Sequence, residues 1–219
     1  PHTYTLTRVL GEQKLNLSSL DPDNRRRAIA TVVTQFAQAA EVGANTVAVI
    51  SGGRPADPAK RAEALLALED SLGRLAAALA LYPGLELLIE PLDYEAHKRN
   101  TLGSTAEAVA ICRRLAARNL RLALCLDTAH LILNGEDTVA AVASARDFIT
   151  EFHFCNPVID RSSALYGDQH PPFGAPGVVG FDEIAGFMTG LRRAGHLVPA
   201  VRPRVHCRGI ESRAMSPLA

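Results

Sequence analysis

Three residues that can bind a divalent cation stand where apolar runs stop. Glu90 follows Leu87-Leu88-Ile89, Asp127 follows Leu124-Cys125-Leu126, and His153 lies within Glu151-Phe152-His153-Phe154. Carboxylates at the ends of buried runs are costly unless cations, protons or hydrogen bonds compensate them, and a divalent metal does so directly. Mixed carboxylate and imidazole donors suit Mn²⁺, Zn²⁺, Co²⁺ or Fe²⁺, and Mg²⁺ stays open with them. Taken singly, each residue has an ordinary structural reading: a cap or surface Glu, a satisfied core His. Asp127 is stronger, because Leu126-Asp127-Thr128-Ala129-His130 puts a second ligand-type residue three positions on. One such residue on each of three consecutive runs favours a shared site.

The elements that must position them alternate in kind. Thr46–Ile50, Leu85–Ile89, Leu120–Leu126 and Ile149–Phe154 are short apolar runs that read as buried parallel strands. Between them lie stretches with helical spacing: Arg25–Val42 behind Asp21-Pro22-Asp23, Pro58–Leu81, Ser104–Arg118, Asp137–Ala145 and Phe181–Ala194. Ser104 and Glu107 have capping-box spacing. Alternating strands and helices predict an α/β fold, either a barrel or an open doubly wound sheet. Ser51-Gly52-Gly53-Arg54-Pro55 does not open a GxGxxG pattern, which weakens the dinucleotide-binding alternative. In a parallel barrel the C-terminal strand ends form one face that carries the active site, so Glu90, Asp127 and His153 are expected to converge. The irregular stretch from Asn156 to Gly180 is longer than a connection needs, as functional lids and binding loops are.

Bulk properties narrow the function. The chain has 219 residues, 47% hydrophobic, enough for one domain spanning 1–219. Twenty-three basic and 23 acidic residues give zero formal charge, which does not advertise nucleic-acid binding. No apolar run is long enough to cross a membrane, and no signal-like start is present, so cytoplasm is the expected location. The cysteines at 112, 125, 155 and 207 form no CxxC pair and are expected to be buried free thiols. The opening Pro1-His2-Thr3-Tyr4 lacks an initiator Met, which suggests a processed, trimmed or partial chain.

Leu88-Ile89-Glu90-Pro91, Leu126-Asp127-Thr128-Ala129-His130 and Phe152-His153-Phe154 resemble three successive motifs of the xylose isomerase-like barrel superfamily, which includes sugar phosphate isomerases and epimerases and the endonuclease IV group. Leu15–Ser19 with Asp21 and Arg25, and Gly167–Pro172 with Phe173-Gly174, resemble flanking segments, so the likeness covers about residues 1–195. The resemblance implies a (β/α) TIM barrel that is incomplete, lacking its first βα unit and ending irregularly, so that a longer native protein exists or the gap is filled another way. It implies metal ligands Glu90, Asp127 and His153, with a further Glu at the end of the next strand. Position 203 is Pro, so Glu211 is the candidate fourth ligand, although Arg202–Ala219 does not read as a strand plus helix. It also implies catalytic roles for Glu90, Glu211 and His130, and substrate contacts from His130, Asp168, His170 and His2, with His2 near a strand end.

The function implied is a metal-dependent sugar or sugar-phosphate isomerase or epimerase that moves a proton through an enediolate, its partner a small sugar or polyol. Rival readings are an endonuclease IV-like zinc phosphodiesterase acting on abasic DNA, a lyase or dehydratase on the same scaffold, and a non-catalytic barrel remnant. His130, Asp168, His170 and His2 match ligands of the nuclease group, whereas Ser51 replaces one of its histidines. Arg54 and Arg161 are candidate phosphate contacts, though isolated loop arginines are usually solvated. The sugar, the metal and the oligomeric state stay open, a homo-oligomer included.

Overall fold

The computed structural model describes residues 2–197 and the backbone of His206–Gly209. Its frame is a six-stranded, all-parallel sheet in chain order: β1 (Thr3–Thr5), β2 (Thr46–Ile50), β3 (Glu86–Glu90), β4 (Ala123–Asp127), β5 (Ile149–Phe154) and β6 (His206–Gly209). The helices between them are α1 (Thr7–Glu12), α2 (Pro22–Glu41), α3 (Arg61–Leu79, after a 3₁₀ turn at Pro58–Lys60), α4 (Thr105–Ala116), α5 (Thr128–Leu133), α6 (Thr138–Ala145) and α7 (Phe181–Arg193). Sequential parallel strands joined through helices are the topology of a (β/α) barrel. Among the described residues the ladder does not close between β1 and β6, so the fold is an incomplete barrel. Its curl is evident where the Thr3 hydroxyl on β1 donates to Glu151 Oε2 on β5, 2.5 Å away across the interior.

The two faces of the sheet are built from alternate residues. Val47, Val49, Leu87, Ile89, Leu124, Leu126 and Phe152 face outward and are buried in one core with Phe36, Leu68, Leu72, Ile111 and Leu115 of the helices. Ala48, Leu88, Ala123 and Cys125 form a separate small cluster inside. Helix starts follow local chemistry. Asp21 Oδ1 accepts from Asp23 N at 2.9 Å with Pro22 at the first helical position, and Ser104 and Glu107 close both bonds of the expected capping box.

Several expectations shift. The strand read as Leu120–Leu126 begins at Ala123, because Leu120 N donates back to Leu115 O and closes the end of α4. Two short helices, α1 and α5, were not expected; six residues give too little periodicity to reveal them. The tail, which showed no strand pattern, contributes β6, paired in register from Glu151↔His206 to Phe154↔Gly209. His-Cys-Arg-Gly has no apolar run, so pairing with β5 rather than intrinsic preference makes this strand. Glu211 lies outside the described residues.

The long loop from Asn156 to Gly180 is ordered around one buried amide. Asn156 Nδ2 donates to Pro172 O (2.6 Å) and Gly174 O (2.8 Å), while its Oδ1 accepts from Val179 N (2.7 Å). A Cβ at Gly177 would lie 2.1 Å from that Oδ1, so the loop closes on Asn156 only with glycine there.

Candidate functional site

Parallel strands place their C-terminal ends at one mouth, and the expected residues meet there. His153 Nδ1 lies 3.1 Å from Glu90 Oε1 and 3.7 Å from Asp127 Oδ2. Glu90, Asp127 and His130 place one donor atom each within 4.8 Å of one another, as do Glu90, Cys125 and His153.

Asp127 has two tasks. Its Oδ1 caps α5 by accepting from Ala129 N at 2.7 Å, which fixes the short helix that carries His130. Its Oδ2 faces His153 and accepts from the Cys155 thiol at 2.9 Å. Burial holds the Asp127 carboxyl above its usual range; the charge of His130 opposes that rise, and those of Glu90 and Asp168 add to it. A cation at the mouth would relieve this.

His130 is the hub of a second group. Its Nδ1 lies 3.3 Å from Asp93 Oδ2 and 3.3 Å from the Asp93 backbone N, so a protonated Nδ1 donates to the carboxylate and an unprotonated one accepts from the amide. Its Nε2 lies 3.7 Å from Asp168 Oδ2. Burial works against charging this imidazole, but the hydrogen bond to Asp93 and the charges of Asp127, Asp168 and Glu90 outweigh it and push the pKa up to about 9. Asp168 Oδ1 is 2.7 Å from His170 Nε2, and Lys98 Nζ is 3.2 Å from Asp168 Oδ2. Burial would raise the Asp168 pKa, but His170, His130 and Lys98 together hold it well below the usual carboxylate range. His153 is likewise raised: burial opposes the charged ring, but its hydrogen bonds to Cys125, Glu151 and Glu90 win. Five carboxylates, Glu90, Asp93, Asp127, Glu151 and Asp168, thus surround imidazoles that hold protons against burial. A donor set this rich in charge and nitrogen could hold a divalent ion, with Glu90, Asp127 and His130 or Glu90, Cys125 and His153 close enough to share one.

The loop reaches the mouth, where Asp168 Oδ2 lies 3.7 Å from His130 Nε2. His170 has φ 51°, and its ring turns back onto Asp168. Gly167, at φ 100°, lies so close to His97 that a Cβ would fall 2.6 Å from the His97 Cβ, which seats the segment before Asp168. His2 is the correction. It precedes β1, its carbonyl accepts from Asn45 N at 2.8 Å, and Thr3 pairs with Thr46 at the start of β2. His2 therefore stands at the N-terminal end of the sheet, the length of a strand away from Glu90. The residues at the mouth end of that strand are Thr5 and Leu6.

Ser51 follows β2, and its hydroxyl accepts from Leu102 N at 3.0 Å, a fold-holding task. Arg54 is paired with Glu95 at 2.6 Å, and Arg161 lies over the Tyr166 ring at 6.0 Å. Sequence reasoning missed Asp93, Glu151, Lys98 and the thiols at the site. Asp93 is fully buried and its carboxylate accepts from the amides of His97 and Lys98. Its only signal was an acid three residues after Glu90. Glu151 is buried, with Oε1 3.0 Å from His153 Nε2, and its i, i+2 spacing to His153 was the available cue. Cys112, Cys125 and Cys155 are buried free thiols, as expected.

No curated protein matches the sequence. Among solved structures the chain resembles apo 3-keto-D-glucoside 4-epimerase from E. coli (17% identity, TM-score 0.65, covering 93% of this chain and 70% of that one). It also resembles D-psicose 3-epimerase from Clostridium cellulolyticum H10 with D-tagatose (18%, TM-score 0.64, 90% and 61%). A third likeness is to the IOLI protein with a bound zinc atom (14%, TM-score 0.67, 88% and 63%). The chain spans less than two thirds of the length of the second and third of these, and at such identities the likeness establishes the fold. The family profile of xylose isomerase-like TIM barrels matches residues 2–205, nearly the whole chain, and the protein belongs to that family.

Proposed function

We propose that this protein is a metal-dependent sugar or sugar-phosphate isomerase or epimerase, with residues 1–219 acting as one domain. The observation that carries the reading is the meeting of Glu90, Asp127 and His153 at the mouth, beside the His130–Asp168–His170 group. The sugar epimerases among the structural neighbours support the same class. Glu90, Asp127 and His153 hold the divalent ion, and Glu211, two positions past the end of β6 in the sequence, is the proposed fourth ligand. When bound, the ion supplies Lewis acidity toward a carbonyl and its neighbouring hydroxyl oxygen.

The chain's own groups do the rest. Glu90 takes the proton from the carbon beside the carbonyl, leaving an enediolate, and Glu211 returns one from the opposite face in an epimerisation; an isomerisation needs only one base. His130, held by Asp93, orients substrate oxygens through Nε2. Asp168 and His170 bind sugar hydroxyls over the mouth. The proposed location is cytoplasmic; no described helix is long and apolar enough to cross a membrane.

The test incubates the chain with Mn²⁺, Co²⁺, Mg²⁺ or Zn²⁺ and a panel of ketoses and ketose phosphates in deuterium oxide, followed by NMR. Metal-dependent deuterium at the carbon beside the carbonyl is expected. Water loss or carbon–carbon cleavage in the same tubes would move the protein to the lyase class. Cleavage of abasic DNA would favour the phosphodiesterase reading, to which Ser51 contributes no imidazole. No bound metal and no exchange on any sugar would overturn catalysis altogether.

A further inference from the structure

Below the mouth, the interior of the barrel carries a donor that the mixed carboxylate and imidazole set does not explain. Cys125 lies on β4 two residues before Asp127, so the alternation of the strand turns its sulfur to the same inner face, one layer deeper. Its own layer is apolar, made with Ala48, Leu88 and Ala123. Its sulfur nonetheless lies within 4.8 Å of a Glu90 oxygen and a His153 ring nitrogen, which lie within the same distance of each other. Glu151 backs this group, with Oε1 3.0 Å from His153 Nε2. A cavity of about 280 Å³ inside the barrel is lined by Glu90, Glu151 and His153 together with Thr3, Thr5 and Leu88. Three donors of different chemistry within 4.8 Å of one another are the start of a tetrahedral site, with Asp127 as the carboxylate above them.

We propose that Cys125 is a further, thiolate ligand, adding its sulfur from one layer deeper to the Glu90, Asp127 and His153 set and biasing the site toward Zn²⁺ or Co²⁺ over Mg²⁺. On binding, the Cys125 S–H bond breaks, its proton passes to solvent and the sulfur's electron pair forms the bond to the ion; nothing is oxidised or reduced. Oxygen-only sites suit Mg²⁺, whereas a thiolate favours the softer ions, so one interior sulfur is enough to tilt the selection. Cys155, whose thiol faces Asp127 Oδ2, is the natural control because it belongs to the upper group. The inference rests on the metal reading above and concerns which atoms hold the ion.

The experiment titrates the full metal-free chain with Co²⁺ and follows the near-ultraviolet sulfur-to-cobalt charge-transfer band. The band is expected in the wild-type protein and in Cys155→Ala, and should be lost in Cys125→Ser with at least a tenfold weaker Zn²⁺ affinity. X-ray absorption of the wild-type zinc form should show a sulfur scatterer at about 2.3 Å. This last measurement keeps the test decisive if Cys125→Ser fails to fold. Metal bound with no charge-transfer band and no sulfur scatterer would overturn the thiolate ligand while leaving the isomerase reading standing. Failure to bind Co²⁺ or Zn²⁺ at all would overturn both, and a cobalt–sulfur band without sugar exchange would uphold the ligand and count against the isomerase.

Discussion

The outer and inner faces of the same strands obey different rules. Outside, Val47, Val49, Leu87, Ile89, Leu124, Leu126 and Phe152 are interchangeable in kind: aliphatic or aromatic, nearly fully buried, and stabilised by area and packing. Inside, Thr3, Glu90, Asp127, Glu151 and His153 are each matched to a particular partner atom, and no two do the same job. The outer face therefore sets stability, and the inner face sets what the mouth can bind.

The sharpest way to break that division is from outside. Phe152 is fully buried, with its ring centroid 5.2 Å from that of Phe154 and 6.0 Å from that of Phe187. Phe152→Ala should cost about 3–5 kcal/mol of unfolding free energy in urea melts, while the molecules that stay folded bind metal as before. A large loss of metal affinity in the folded fraction would show that the two faces are not separable.

The converse change is Asp127→Asn. It removes the charge facing His153 but keeps an oxygen to cap α5, so metal affinity by calorimetry should fall by about 100-fold or more while the circular dichroism spectrum is retained. Loss of the folded spectrum would mean that the cap, rather than the charge, is the main role of Asp127.

A smaller effect should appear on titration. The pKa of His130 rises from its ordinary 6.5 to about 9 in the folded, metal-free chain. Stability from the charged ring is fully present below about pH 6.5 and is lost as pH climbs through about 9, a change of up to about 3 kcal/mol. Over the same window metal affinity should rise, because the ion no longer competes with a proton-derived positive charge. Chemical denaturation at several pH values should show the metal-free slope, and His130→Gln should flatten it.

The smallest effect belongs to His2. Placed at the opposite end of the sheet, His2→Ala should leave metal affinity unchanged and stability within about 0.5 kcal/mol. A tenfold loss of metal would contradict its placement.

The alternation of apolar runs with helix-period segments specified the α/β class, and two strands, Thr46–Ile50 and Ile149–Phe154, are bounded as the sequence indicates. Local signals such as Ser104 with Glu107 and Asp21 before Pro22 were also legible, because a cap is a bond between near neighbours in the chain. So was the meeting of Glu90, Asp127 and His153, since parallel strands bring their C-terminal ends to one face whatever the details of packing. What only the tertiary structure decided is which side of each strand faces inward, and what stands opposite it. Asp93 beneath His130 and β6 beside β5 depend on partners at least 37 residues away, whereas Glu151 with His153 and Cys125 with Asp127 are two residues apart and depend on which face of the strand turns inward. His2 was misplaced for the same reason: a histidine next to a strand looks alike at either end of it, and only the pairing of Thr3 with Thr46 assigns the end. A single sequence encodes period and caps locally, whereas the register and curl that fill the interior are settled by contacts distant along the chain.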